Sequence, residues 1–130
     1  EDTEKASNII ISAGLELGHQ MMLGLPLSTL DKELLTAKKI KELGASQIRI
    51  YPVLVIKGTR LAKLWEKKEY DPLSLEEAAA RAASLIEYFE SNGMKVIRCG
   101  LHPSEGLISG EEYLAGPFHP AFGQIARSRI

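Results

Sequence analysis

The sequence predicts an α/β fold: three parallel strands near residues 17–24, 46–53 and 94–99, with helices packed on one side of them, as in half a barrel. Two observations predict it. Strand-like apolar runs alternate with amphipathic helical runs, and strands separated by helices pair in parallel through right-handed crossovers. Helix caps punctuate the alternation, at Ser28 and again at Ser74. Three strands do not close a barrel and make a poor doubly wound sheet. The organised part spans residues 1–100, and residues 101–130 read as a loop-rich tail.

Thr3 to Ser12 is predicted as the first helix, because Ala6, Ile9, Ile10 and Ala13 keep a three-to-four spacing and Gly14 suits the residue after a helix end. A helix that starts at residue 3 with no methionine before it predicts that the chain is a piece of a longer protein. Leu17 to Leu25 reads as a strand whose nearly continuous apolar end suits burial on both faces, and Pro26 ends it. Ser28 offers an N-cap, with Asp31 as a capping-box variant. Leu30, Leu34, Ala37, Ile40 and Leu43 then form one stripe, which predicts a helix from Thr29 to Leu43, stopped by Gly44.

Gln47 to Val55, rich in Ile, Val and Tyr, is the second strand, bent or ended near Pro52. Gly58 and Thr59 open a short helix through Leu61, Leu64 and Trp65. Ser74 with Glu77 is a capping box for a long helix from Leu75 to Asn92, closed by Gly93. Met94 to Cys99 is the third strand. Beyond Gly100 the periodicity fades: His102-Pro103, Gly106, Gly110, Gly116-Pro117 and His119-Pro120 punctuate the tail, with a short helix near Phe122 to Ser128.

Composition narrows the function. The chain has 130 residues, one domain at most, with 45% hydrophobic and 25% charged residues, an ordinary globular balance. A net charge of −1 argues against a globally basic nucleic-acid binder and leaves room for a local patch. No run of about 18 apolar residues occurs, so no membrane-spanning helix is expected. The opening Glu1-Asp2-Thr3-Glu4 is not a signal peptide, and the single cysteine, Cys99, forms no internal disulfide, so the expected compartment is the cytoplasm. One cysteine also cannot hold an iron–sulfur cluster.

Several runs resemble a known family. Met21-Met22-Leu23-Gly24-Leu25-Pro26 resembles a strand end of the Elongator catalytic subunit family. Ile50-Tyr51-Pro52-Val53-Leu54-Val55-Ile56-Lys57-Gly58-Thr59 is similar to that family's Tyr-Pro-Thr-Leu-Val-Ile-Lys-Gly-Thr run, spacing included. Leu64-Trp65, Glu69-Tyr70 with Pro72, and Glu76-Glu77-Ala78 continue the likeness, which covers about residues 15 to 99. Gly-Leu-Pro also occurs in oxygen-independent coproporphyrinogen oxidases. Both families are radical S-adenosylmethionine (SAM) enzymes. The resemblance implies the carboxy-terminal half of a parallel (βα) partial TIM-type barrel. It implies SAM and a [4Fe–4S] cluster as cofactors of the full-length protein, with the cluster-binding loop in a missing N-terminal half. The chain departs from the pattern twice. Leu27 stands where the family has glycine, and the tail from Leu101 does not resemble an acetyltransferase domain, so acetyl transfer is not carried over.

Ligands of parallel α/β units bind at strand carboxyl ends. The SAM side is therefore expected at Gln20, Met22, Gly24, Leu25, Pro52 and Leu54. Gly24 is either a wall for adenine or ribose or simply a tight turn. Gln20 falls at the offset of an acidic SAM contact in the coproporphyrinogen oxidase pattern, or is a polar residue in a barrel interior. Pro52 and Leu54 match the position that packs on adenine, which is compatible with plain barrel packing. Lys57 and Arg98 are expected on the substrate side, as the cations closest to those ends. Arg49 and Arg98, on strands side by side, would share a barrel lumen facing a substrate anion, or else take an edge position or a salt bridge with Glu16 or Asp31. No catalytic residue and no metal ligand is expected here: His102 and His119 read as loop structure, Cys99 as a small buried hydrophobe and Trp65 as core.

The resulting expectation is a fragment of a radical SAM oxidoreductase or transferase, inactive alone, with a small-molecule or RNA substrate, porphyrin-related or RNA-related by family analogy. The alternative is a non-catalytic α/β binding or interaction module. Half a barrel leaves open strand edges, so the isolated piece is expected to self-associate.

Overall fold

The computed structural model describes residues 2–101 and 112–130. The first helix, α1, covers Asp2–Ser12, and β1 follows at Gly18–Leu23. Helix α2 runs Leu30–Glu42 and leads to β2, Gln47–Pro52. A two-residue strand β3, Val55–Ile56, precedes helix α3, Arg60–Glu66, and the long α4, Leu75–Ser91. Strand β4 is Lys95–Cys99, β5 is Tyr113–Ala115, and the last helix, α5, is Phe122–Arg127.

The three long strands form one parallel sheet in the order β1-β2-β4, as expected from their alternation with helices. Leu17, Met21, Leu23, Ile48 and Ile50 turn to the helices and pack with Ala37 and Ile40 of α2 and Ala78, Ala82, Leu85, Ile86 and Phe89 of α4. Alternation of side chains leaves Gln20, Met22, Arg49 and Tyr51 on the opposite face, which no helix covers among the described residues.

Local chemistry sets the ends. Ser74 caps α4 as predicted, its hydroxyl accepting the N–H of Glu77 at 3.1 Å. The cap of α2 is Thr29, not Ser28: Thr29 Oγ1 accepts the N–H of Lys32, while the Ser28 hydroxyl donates to Glu33 at 3.0 Å.

Two expectations are corrected. The second strand does not run to Val55. It ends at Pro52, which has no N–H to continue the ladder, and Val55 and Ile56 leave the parallel sheet. They pair antiparallel with β5, so the tail is not merely loop: it supplies a strand, and through Phe122 and Ala126 it completes the main core. Position 100 is thus no packing boundary; a Cβ on Gly100 would sit 3.0 Å from that of Phe122. His102, Pro103, Gly106 and Gly110 lie outside the described residues.

Candidate functional site

The residues singled out from the sequence fall into three places. Gln20 and Met22 lie on the open face of the sheet, and Arg98 lies on β4, two strands across with β2 between. Register places Gln20 against Arg49, Arg49 against Arg98, and Met22 against Tyr51. Met22 is 42% exposed, and the guanidinium of Arg98 is steered by a hydrogen bond from Nε to the Gly100 carbonyl at 3.0 Å.

Gly24 and Leu25 form the second place, the carboxyl end of β1. Gly24 adopts φ +86°, which favours glycine, and a Cβ there would press on the Leu73 side chain at 3.1 Å. The expectation that Gly24 offers free backbone groups to a purine is not met. Its N–H is donated to Glu33 at 2.8 Å and its carbonyl accepts the Tyr70 hydroxyl at 2.6 Å. Burial raises the Tyr70 phenol above its ordinary pKa, with Arg81 opposing, so it remains a donor at neutral pH. Leu25, half exposed, is the side chain this strand end presents. A cleft of about 380 Å³ opens beside it, lined among others by Leu25, Leu64, Glu69, Asp71 and Arg81.

The third place is the interior. Pro52 is fully buried, on the same side as Ile48 and Ile50, and Leu54 is buried against Gly116. Neither side chain faces the open side of the sheet, because alternation from Ile48 turns Pro52 toward the helices and the tail closes over Leu54. Tyr51, on the open face beside Met22, is not among the residues expected from the sequence, although alternation along β2 marks it. Lys57 is exposed beyond β3, its N–H donated to the Glu112 carbonyl at 2.7 Å.

Other titratable groups are structural. Ser7 donates to the Thr3 carbonyl at 2.7 Å, so its oxygen accepts from His19 Nε2 at 3.0 Å, and burial lowers the His19 pKa. Burial pushes the Cys99 thiol up to about 11, against the pull of Arg127 and Arg98, which makes it a poor nucleophile and a poor ligand. No group of three His, Cys, Asp or Glu side chains able to hold a metal occurs among the described residues. With one cysteine in the sequence, the thiolates of a [4Fe–4S] cluster are not in this chain.

Residues 45–130 match the family described as Radical_SAM C-terminal domain. The tRNA uridine(34) acetyltransferase of Methanocaldococcus jannaschii is 35% identical over 101 residues, covering 75% of this chain and 18% of that protein. Protein YhcC of Escherichia coli is 25% identical over 85 residues, 65% of this chain and 28% of that protein. The solved structure of archaeal Methanocaldococcus infernus Elp3 with an N-terminal deletion superposes with a TM-score of 0.83 at 23% identity, covering 98% of this chain and 29% of that one. The chain thus spans less than a third of each of these relatives. The shared fold is that of a carboxy-terminal partial barrel.

Proposed function

The chain belongs to the Radical_SAM C-terminal domain family, and from that premise we propose that it forms the SAM-facing and substrate-facing wall of a radical SAM enzyme. The observation that carries this reading is the uncovered sheet face, where Gln20, Met22, Arg49, Tyr51 and Arg98 stand together below the strand carboxyl ends. The partner in this reading is the N-terminal half of the same protein, which would close the barrel along the β1 edge and hold the cluster. When bound there, cluster and SAM would supply a carbon-centred radical.

This chain's residues would bind and orient. The Gln20 amide suits a ribose hydroxyl, and Met22 and Tyr51 offer apolar and aromatic surface to a purine. Leu25 would border the same ligand from the strand end. Gly24 acts through its conformation, and Pro52 and Leu54 support the wall from behind. Lys57 and Arg98 would meet an anionic substrate. The name of the archaeal relatives, tRNA uridine(34) acetyltransferase, supports an RNA-related substrate; nothing supports carrying acetyl transfer to these residues.

The test uses the complete protein, purified anaerobically. Gln20→Ala and Tyr51→Ala should each weaken SAM binding roughly tenfold, about 1.4 kcal/mol, while Lys57→Ala spares SAM binding and loses product. Unchanged SAM affinity in both folded variants overturns the reading.

A further inference from the structure

We propose that Arg49 and Arg98 form a subsite for the anionic group of the substrate, a carboxylate or a phosphate, on the lumen side of the sheet. The inference deepens the functional reading above and rests on it. Arg49 on β2 and Arg98 on β4 are register partners in neighbouring parallel strands, and Gln20 on β1 completes the row. Ile50 and Cys99, the next pair along, pack toward the core, so both guanidinium groups turn to the opposite, open face.

Like charges directly across a strand pair are destabilising. Three of the four other arginines are neutralised: Arg81 holds Glu33, Arg127 holds Glu90 and Arg129 holds Glu76. Neither Arg49 nor Arg98 holds a carboxylate among the described residues. Among the described residues, the charged groups that flank this row include Lys95, register partner of Gln47, and Glu16, which accepts from Gln47 at 3.5 Å. They lie one layer toward the amino ends of the strands, and one positive and one negative charge there leave the arginine pair uncompensated among the described residues. An anion between the two guanidinium groups removes the repulsion and gains charge-assisted, bidentate hydrogen bonds. The Arg98 Nε bond to Gly100 fixes that side chain beforehand, so less entropy is lost on binding.

The next layer toward the strand carboxyl ends is Met22 and Tyr51. A ligand entering from that end meets apolar and aromatic surface first and cations below. That order fits an organic anion whose flat or apolar part stays near the mouth.

The experiment is calorimetric titration of the complete protein with pyrophosphate, with malonate and, separately, with SAM. We expect one of the two anions to bind, which distinguishes a phosphate from a carboxylate source. Arg49→Gln and Arg98→Gln should each weaken that binding roughly tenfold, about 1.4 kcal/mol. Arg49→Lys should retain part of it, Arg60→Gln at the start of α3 should leave it unchanged, and SAM affinity should hold in all variants. Failure of both anions to bind, equal loss on Arg60→Gln, or a loss confined to SAM overturns the subsite. Arginine-dependent anion binding in a protein that does not bind SAM supports the subsite and sinks the wider functional reading.

Discussion

The carboxylate of Glu33 on α2 accepts the backbone N–H of Gly24 at the end of β1, at 2.8 Å. Glu33 is 3% exposed, and the same oxygen takes the Ser28 hydroxyl and the Arg81 guanidinium. One buried carboxylate thus ties the β1–α2 turn to α4. Its second oxygen has no partner among the described residues. Removing one member of a buried pair leaves the other charge uncompensated, so Glu33→Ala should destabilise the fold by about 3 kcal/mol. Tyr70→Phe, which strips the hydrogen bond on the Gly24 carbonyl, should cost about 1 kcal/mol. Denaturant unfolding checks both, and a Glu33→Ala loss below about 1 kcal/mol would mean the turn holds without this clamp.

Leu27 sits in the left-handed region at φ 64° and is 91% exposed. The conformation costs a leucine about 1–2 kcal/mol, and a glycine loses part of that gain through its greater unfolded-state freedom. Leu27→Gly should raise stability by up to about 1 kcal/mol, read as a higher denaturation midpoint at constant slope, whereas Leu27→Val should lower it. A destabilised glycine variant would indicate that the exposed side chain makes contacts worth more than the strain.

The His19 pKa is depressed by burial from 6.5. The unfolded chain then binds more protons than the folded one just below that value, so folding stability falls as pH drops from about 6.5. The contribution is fully present above that value. The exposed pairs Glu4–Lys39 and Glu76–Arg129 depress carboxylates from 4.5, so they act in a lower window. Unfolding measured from pH 7.5 down to about 5 should lose this slope in His19→Gln; a slope of equal size in the variant would assign it elsewhere.

Cys99 should resist alkylation. Its thiol pKa of about 11 against an ordinary 9.0 leaves roughly a hundredfold less thiolate at pH 8. Iodoacetamide modification followed by mass spectrometry should be correspondingly slow and should accelerate on unfolding. Fast labelling of the folded chain would place the sulfur in a more open environment.

The isolated chain should associate. β1 is an edge of the sheet, and Ile9, Leu15, Met22 and Leu35 are exposed. Sedimentation should show mass increasing with concentration, and Leu15→Glu with Ile9→Glu should reduce it. A monomer at all concentrations would leave these apolar groups as tolerated surface.

Much of this fold is written locally. The stripe through Leu34, Ala37 and Ile40, the Ser74–Glu77 box and the polar–apolar alternation of Gln47, Ile48, Arg49 and Ile50 each involve residues a few positions apart, so periodicity and capping chemistry specify α2, α4 and β2. The Lys57-Gly58-Thr59 run likewise carries the family resemblance within the sequence itself. Tertiary structure alone decided what depends on partners distant in sequence. Val55 and Ile56 pair with Ala115 and Tyr113, some sixty positions away by the register, and Leu54 beside them is buried against Gly116 of the same returning segment. Gly24 reads as an open strand end until Glu33 and Tyr70, from two other elements, occupy both of its backbone groups. The sequence already suggests Arg49 and Arg98 on neighbouring strands; their direct register pairing, with Gln20 opposite Arg49, is decided by the assembled sheet, where packing of Ile48, Ile50 and Cys99 in the core sets which residues align.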